Sequence, residues 1–154
     1  MRICPALTKV TGGLVAIAGW FSGTYLSTVS YYDIAGNTWK GLTAKLNIAR
    51  YCHSACTLNG IVYVFCGYDG RDYLNSIEMI SESSLLANAT TLWQLINVAE
   101  NILTKRETPA VAPLNDTEIA ILGGWNSGSS GSLSDVIVFN TTTKTCQKVA
   151  AGDY

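Results

Sequence analysis

Val62-Tyr63-Val64-Phe65-Cys66-Gly67 is an apolar run closing on glycine, and it occurs twice more, as Leu14-Val15-Ala16-Ile17-Ala18-Gly19 and Ile119-Ala120-Ile121-Leu122-Gly123-Gly124. The closing glycines stand 48 and 57 residues apart, a spacing that signals structural repeats stacked on one another. Upstream, Arg2, Arg50 and Arg106 precede those glycines by 17, 17 and 18 residues, with a turn between them each time at Gly12-Gly13, Asn59-Gly60 and Asn115-Asp116. Downstream, residues 26–33, 74–81 and 133–140 read as a third strand with its entry turn. Trp39-Lys40-Gly41-Leu42, Trp93-Gln94-Leu95-Ile96 and Cys146-Gln147-Lys148-Val149 read as a fourth. The step from third to fourth element is six residues in the first and third units and twelve in the second, which places an insertion around residues 83–88. The unit is therefore four short strands, repeated over residues 2–49, 50–105 and 106–154 of a single 1–154 domain.

One local pattern competes. Leu92, Leu95, Ile96, Ala99 and Leu103 recur at helical spacing, which by itself suggests an amphipathic helix. The repeat register overrides it, because Trp93 falls where a fourth strand belongs.

Composition agrees with a folded single domain. The 154 residues are 48% hydrophobic and 14% charged, enough for a core and unlike a disordered chain. Ten Lys plus Arg against eleven Asp plus Glu are too sparse and balanced to hold a phosphate backbone, so nucleic acid is not expected as a partner. The longest apolar-or-glycine run, residues 12–21, is about half of the ~20 residues a spanning helix needs, so no membrane is expected either. The opening Met1-Arg2-Ile3-Cys4-Pro5 has no signal-type apolar stretch. Five cysteines, an odd number, fit reduced thiols in a cytoplasmic protein. The sequons at Asn88, Asn115 and Asn140 are no more than chance provides in a Ser- and Thr-rich chain.

These landmarks resemble the kelch family, whose repeat is an arginine, often with a histidine three residues on, a turn, an apolar strand ending in a glycine pair, a loop, an aromatic-bearing strand and a tryptophan. Arg50-x-x-His53, Asn59-Gly60-Ile61-Val62-Tyr63-Val64 and Gly67-Tyr68-Asp69-Gly70 carry the resemblance best. The departures are Ala18 and Cys66 in place of the first glycine, and Cys146 in place of the tryptophan. The resemblance implies an all-β fold of three four-stranded antiparallel kelch blades, half of a six-bladed-type β-propeller. Propellers commonly have four to eight blades. Three do not close a ring, so the outer faces of the first and third blades are expected to be apolar and uncovered, and the ring to be completed by oligomerisation or by further blades.

The resemblance implies a non-catalytic interaction or scaffold module for a protein or peptide partner, with no cofactor. Its candidate contacts are the repeated Arg2, Arg50 and Arg106, and loop residues Trp20, Tyr25, Tyr68, Arg71 and Trp125, aromatic and Arg groups being the usual anchors of interfaces. The competing reading gives the arginines to neighbouring backbone and the aromatics to packing between blades. Alternatives are a propeller enzyme of the sialic acid mutarotase or copper oxidase type, or a purely structural part of a larger assembly. His53 is the only histidine, which argues against copper. In Cys52-His53-x-x-Cys56 an extended strand sets the two thiols about 13 Å apart, so packing is expected there and not a metal. Asp69, Asp72 and Asp135 are read as turn carboxylates, and residues 123–131, lacking the lysine of a phosphate loop, as a flexible loop.

Overall fold

The computed structural model describes residues 2–88, 90, 92–128 and 131–149. The extreme ends of the expected domain, and Ser129 and Ser130 of its glycine-rich loop, lie outside the described residues. The first sheet is β1 (Ala6–Val10), β2 (Gly13–Phe21), β3 (Thr24–Asp33) and β4 (Thr38–Lys45), antiparallel and in that order. The second repeats the pattern with β5 (Ser54–Leu58), β6 (Ile61–Phe65) and β7 (Ile77–Ser81), then a short helix α1 (Glu82–Leu86), then β8 (Gln94–Ile96). The third begins with β9 (Ala110–Pro113) and β10 (Glu118–Leu122). After a two-stranded ribbon of β11 (Trp125–Asn126) and β12 (Gly131–Ser132), it ends with β13 (Val136–Asn140) and β14 (Thr145–Val149).

Alternation along each strand sends successive side chains to opposite faces, and both faces of the middle sheet are used. Val15, Ile17 and Val29 of the first sheet pack on Val62, Val64 and Ile80 of the second. On its other face Tyr63, Phe65 and Ile77 pack on Ile119, Ile121, Ile137 and Phe139 of the third. The first strands β1, β5 and β9 lie side by side, with Thr8 Oγ1 3.0 Å from Thr57 Oγ1 and Ser54 Oγ donating to the Pro109 carbonyl. The three sheets thus fan outward from a shared inner edge. The two outer flanks remain open: Leu7 and Trp39 of the first sheet are 57% and 56% exposed, and Leu122 and Val149 of the third are both 41% exposed.

Two expectations are refined. The insertion around residues 83–88 is α1, started by Ser81, whose hydroxyl accepts from the Ser84 amide at 3.2 Å as an N-cap does. The glycine-rich loop is not unstructured throughout, since the β11–β12 ribbon occupies it, pairing Trp125 with Ser132. The helical spacing of residues 92–103 produces no helix there. Trp93 is buried against the first core, β8 follows, and the Ala99 carbonyl accepts from the Ile102 and Leu103 amides in a tight turn. No helix of the described residues is long and apolar enough to cross a membrane.

Candidate interaction rim

The closing glycines set the geometry of one end of the fan. A Cβ at Gly124 would stand 2.7 Å from the Glu107 carbonyl oxygen, and at Gly67 2.9 Å from both the Tyr51 carbonyl and the His53 Cβ. With φ near +105°, these positions admit only glycine. The close approach brings the chain after each arginine against the chain after each glycine, giving the isolated bridges Ile3–Trp20, Tyr51–Tyr68 and Glu107–Trp125. The residue before each closing glycine, Ala18, Cys66 or Gly123, sits in the left-handed region at φ +51 to +59°, which a side chain can occupy at modest cost.

The repeated arginines turn inward from this junction. Arg50 is fully buried and donates to the Cys66 carbonyl at 2.8 Å, Ser76 Oγ at 3.2 Å and Glu78 Oε1 at 2.6 Å. Arg106, equally buried, donates to the Gly123 carbonyl at 2.8 Å and grips Asp135 with both prongs, at 2.6 and 3.0 Å. Arg2 is half-buried and donates to the Ala18 and Thr28 carbonyls and to Ser30 Oγ. All three guanidiniums clamp the end of the second strand of their sheet to the third. As folded, Arg50 and Arg106 have no surface to offer a partner. Asp135, read from sequence as a turn carboxylate, is instead held below the usual carboxylate range by its bond to Arg106.

The aromatic candidates do converge. Tyr25, Tyr51 and Tyr68 meet edge to face, with ring centroids 5.4 Å (Tyr25–Tyr51), 6.0 Å (Tyr25–Tyr68) and 6.0 Å (Tyr51–Tyr68) apart. Tyr68 continues to Tyr73 at 5.1 Å, and Tyr73 to Trp125 at 5.6 Å. The result is one continuous aromatic strip running across all three repeat units. Gly70 packs closely on its first-unit end, where a Cβ would stand 2.5 Å from the Tyr25 ring. Trp20, half-buried at the equivalent place in the first unit, makes no ring contact among the described residues and stands apart. Tyr51 and Tyr73 were not singled out from the sequence; the signal that could have found them is Tyr51 following Arg50 and Tyr73 closing the loop that Tyr68 opens.

Charge on this rim is largely paired. Asp69 Oδ1 accepts from the Arg71 and Asp72 amides at 2.7 and 2.8 Å, the expected turn role, whereas Asp72 bonds Lys105 at 2.5 Å, which lowers its pKa. Arg71 is exposed. Glu107, half-buried beside Tyr51 and Cys52, has its pKa raised by burial, and Tyr51 is pushed up to about 12 by burial and by Glu107. His53 packs beneath Gly67 with both ring nitrogens buried, its pKa driven down to about 3 by burial and by Arg50, while the Ile17 backbone is the one polar neighbour favouring a proton. Cys56 is buried in the second core, away from His53.

Three comparisons bear on this geometry. The sequence model of the KLHDC2/KLHL20/DRC7 Kelch-repeats domain matches residues 5–153. A stretch of 50 residues, 32% of this chain and 7% of the relative, is 40% identical to Kelch-like protein 4 of Homo sapiens. A stretch of 83 residues, 54% of this chain and 26% of the relative, is 29% identical to a putative F-box/kelch-repeat protein of Arabidopsis thaliana. The matched stretches span about a quarter or less of these relatives' own length.

Proposed function

Because the chain belongs to the kelch-repeat family, we propose that it is a non-catalytic module that holds a protein or peptide partner against the loop end of its sheets. The observation that carries this reading is the aromatic strip from Tyr25 to Trp125, which five residues from all three repeat units build on one rim. Aromatic rings on rigidly supported loops give large contact area at small entropic cost. Trp125 is exposed at one end of the strip and Arg71 projects from the loop that Tyr68 and Tyr73 bracket. Arg71 and Trp125 are therefore the contacts we assign first, with Tyr68 and Tyr25 as further contacts along the strip. Trp20 and Arg2 stay as outlying contacts of the first unit.

The test is partner capture with Arg71→Ala and Trp125→Ala, read beside their unfolding curves. Loss of capture with unchanged unfolding supports the module. Unchanged capture, or a loss that only follows lowered stability, removes it.

We further propose that the three units, residues 2–49, 50–105 and 106–154, are blades of an incomplete ring. The open apolar flanks at Leu7 and Trp39, and at Leu122 and Val149, support this. The middle sheet buries the counterparts of both bare faces against its two neighbours.

A further inference from the structure

The position two residues after each repeated arginine is Cys4, Cys52 or Thr108, and all three take up left-handed backbone, with φ +47°, +49° and +52°. They stack from sheet to sheet: the Cys52 amide donates to the Cys4 carbonyl at 3.3 Å, and the Thr108 amide to the Cys52 carbonyl at 2.6 Å. The Cys52–Cys4 backbone bond holds the two cysteines next to each other across neighbouring sheets, the proximity that a disulfide requires. The Cys4 thiol lies near enough to that of Cys52 to raise its pKa. Cys4 is exposed and Cys52 half-buried, while Cys56 and Cys66 are buried.

We propose that Cys4 and Cys52 form a dithiol site that closes to a reversible disulfide by exchange with a low-molecular-weight disulfide such as oxidised glutathione. Cys4, the accessible thiol, attacks first as its thiolate. A bond forms between its Sγ and one glutathione sulfur, the glutathione disulfide breaks, and one glutathione leaves as thiolate. Cys52 then loses its proton to water and attacks Cys4 Sγ, expelling the second glutathione. Two electrons and two protons have left the protein thiols, and the disulfide has become two glutathione thiols. Burial, the neighbouring Cys4 thiol and Glu107 hold the Cys52 pKa up at about 12. The second step is therefore slow near neutral pH and quickens as pH rises, because the thiolate is the nucleophile. The link would tie the lead-in of β1 to the residue beside Tyr51, fixing one end of the aromatic strip covalently.

The test is incubation of the native protein in glutathione redox buffers, alkylation of remaining thiols, and peptide mapping without reduction. Expected is the tryptic peptide of residues 3–9 joined to that of residues 51–71, lost on reduction and forming faster at higher pH. Glutathione should be found on Cys4 as the intermediate. Cys52→Ser should stop at that mixed disulfide, and Cys4→Ser should abolish linkage while leaving the unfolding curve close to the parent. A link through Cys56 that persists in Cys52→Ser, or a Cys4 mixed disulfide that never resolves even at raised pH, overturns the proposal.

Discussion

The Arg50 guanidinium and the Glu78 carboxylate meet at 2.6 Å with neither side chain reaching solvent. Glu78 also accepts from the Asn47 amide at 2.7 Å, from Asn47 Nδ2 at 2.9 Å and from the Ile48 amide at 3.1 Å. One carboxylate therefore fastens the second sheet to the segment leading in from the first. Removing one member of a buried pair leaves the other charged and unpaired, which costs about 3–5 kcal/mol. Glu78→Ala is expected to lose stability on that scale in urea unfolding. Adding Arg50→Met should recover part of the loss, since the stranded charge goes with it. The Arg106–Asp135 pair sits nearer solvent and has Lys148 at 3.6 Å as a second cation, so Asp135→Asn should cost less.

The glycine pair of the third unit gives a sharper contrast. At Gly124 a Cβ would stand 2.7 Å from the Glu107 carbonyl at φ +105°, whereas at Gly123 it would stand 3.0 Å from the Leu133 carbonyl at φ +56°. The first clash is with backbone and in a region closed to side chains. The second is tight but matches the conformation in which Ala18 and Cys66 already sit. Gly124→Ala is expected to cost about 3 kcal/mol or more and Gly123→Ala about 1–2 kcal/mol. Equal midpoints for the two variants in urea would show that the carbonyl contact does not govern the position.

His53 makes stability fall in mild acid. Its pKa is about 3 in the fold against 6.5 in the unfolded chain, so between those values only the unfolded state takes up the proton. The His53 contribution is undiminished above pH 6.5 and is lost progressively as pH falls toward 3, reaching about 2 kcal/mol at pH 5. Asp135, with its pKa lowered, acts in a separate window: its contribution is present above the ordinary carboxylate pKa and lost only in stronger acid. Glu107 has its pKa raised and so favours the fold as it protonates. Comparison with His53→Asn isolates the histidine. The parent should lose more stability than the variant between pH 7 and pH 5, and parallel losses would remove His53 from the account.

The fold was legible because its physical constraints recur at fixed places. Gly19, Gly67 and Gly124 are imposed by the close carbonyl of the chain after each arginine, and Arg2, Arg50 and Arg106 by the strand ends they clamp. What the arginines bind was not legible. Glu78 aligns with Ser30 and Ile137, while Asp135 aligns with Ser76 and Thr28. The carboxylate has moved two residues along the third strand between units, so the repeat alignment hides it. The rim was half legible for a similar reason. Tyr25, Tyr68 and Trp125 mark the loops after the closing glycines, but Tyr51 and Tyr73 are brought to them by backbone bridges to Tyr68. Those bridges connect segments that no local pattern pairs.

The open flanks lead to the last expectation. Leu7, Leu14, Ala16, Tyr32 and Trp39 share the outer face of the first sheet by strand register, and Ala112, Ala120, Leu122, Val136 and Val138 share that of the third. The first face is bulky at Tyr32 and Trp39 and the second small at Ala112 and Ala120, so the two suit each other better than either suits itself. Burying a large apolar side chain fully contributes about 1.5–3 kcal/mol, and several act together here. The chain as given is expected to associate head to tail at micromolar concentration in sedimentation velocity. Trp39→Asp on one flank, or Leu122→Asp on the other, should shift it toward monomer. Trp39 and Leu122 are both part-exposed, so either change should cost the monomer only about 1 kcal/mol, at Trp39 through its ring contact with Tyr32 at 5.2 Å. A parent chain that stays monomeric and binds no apolar dye would show that these faces need no cover.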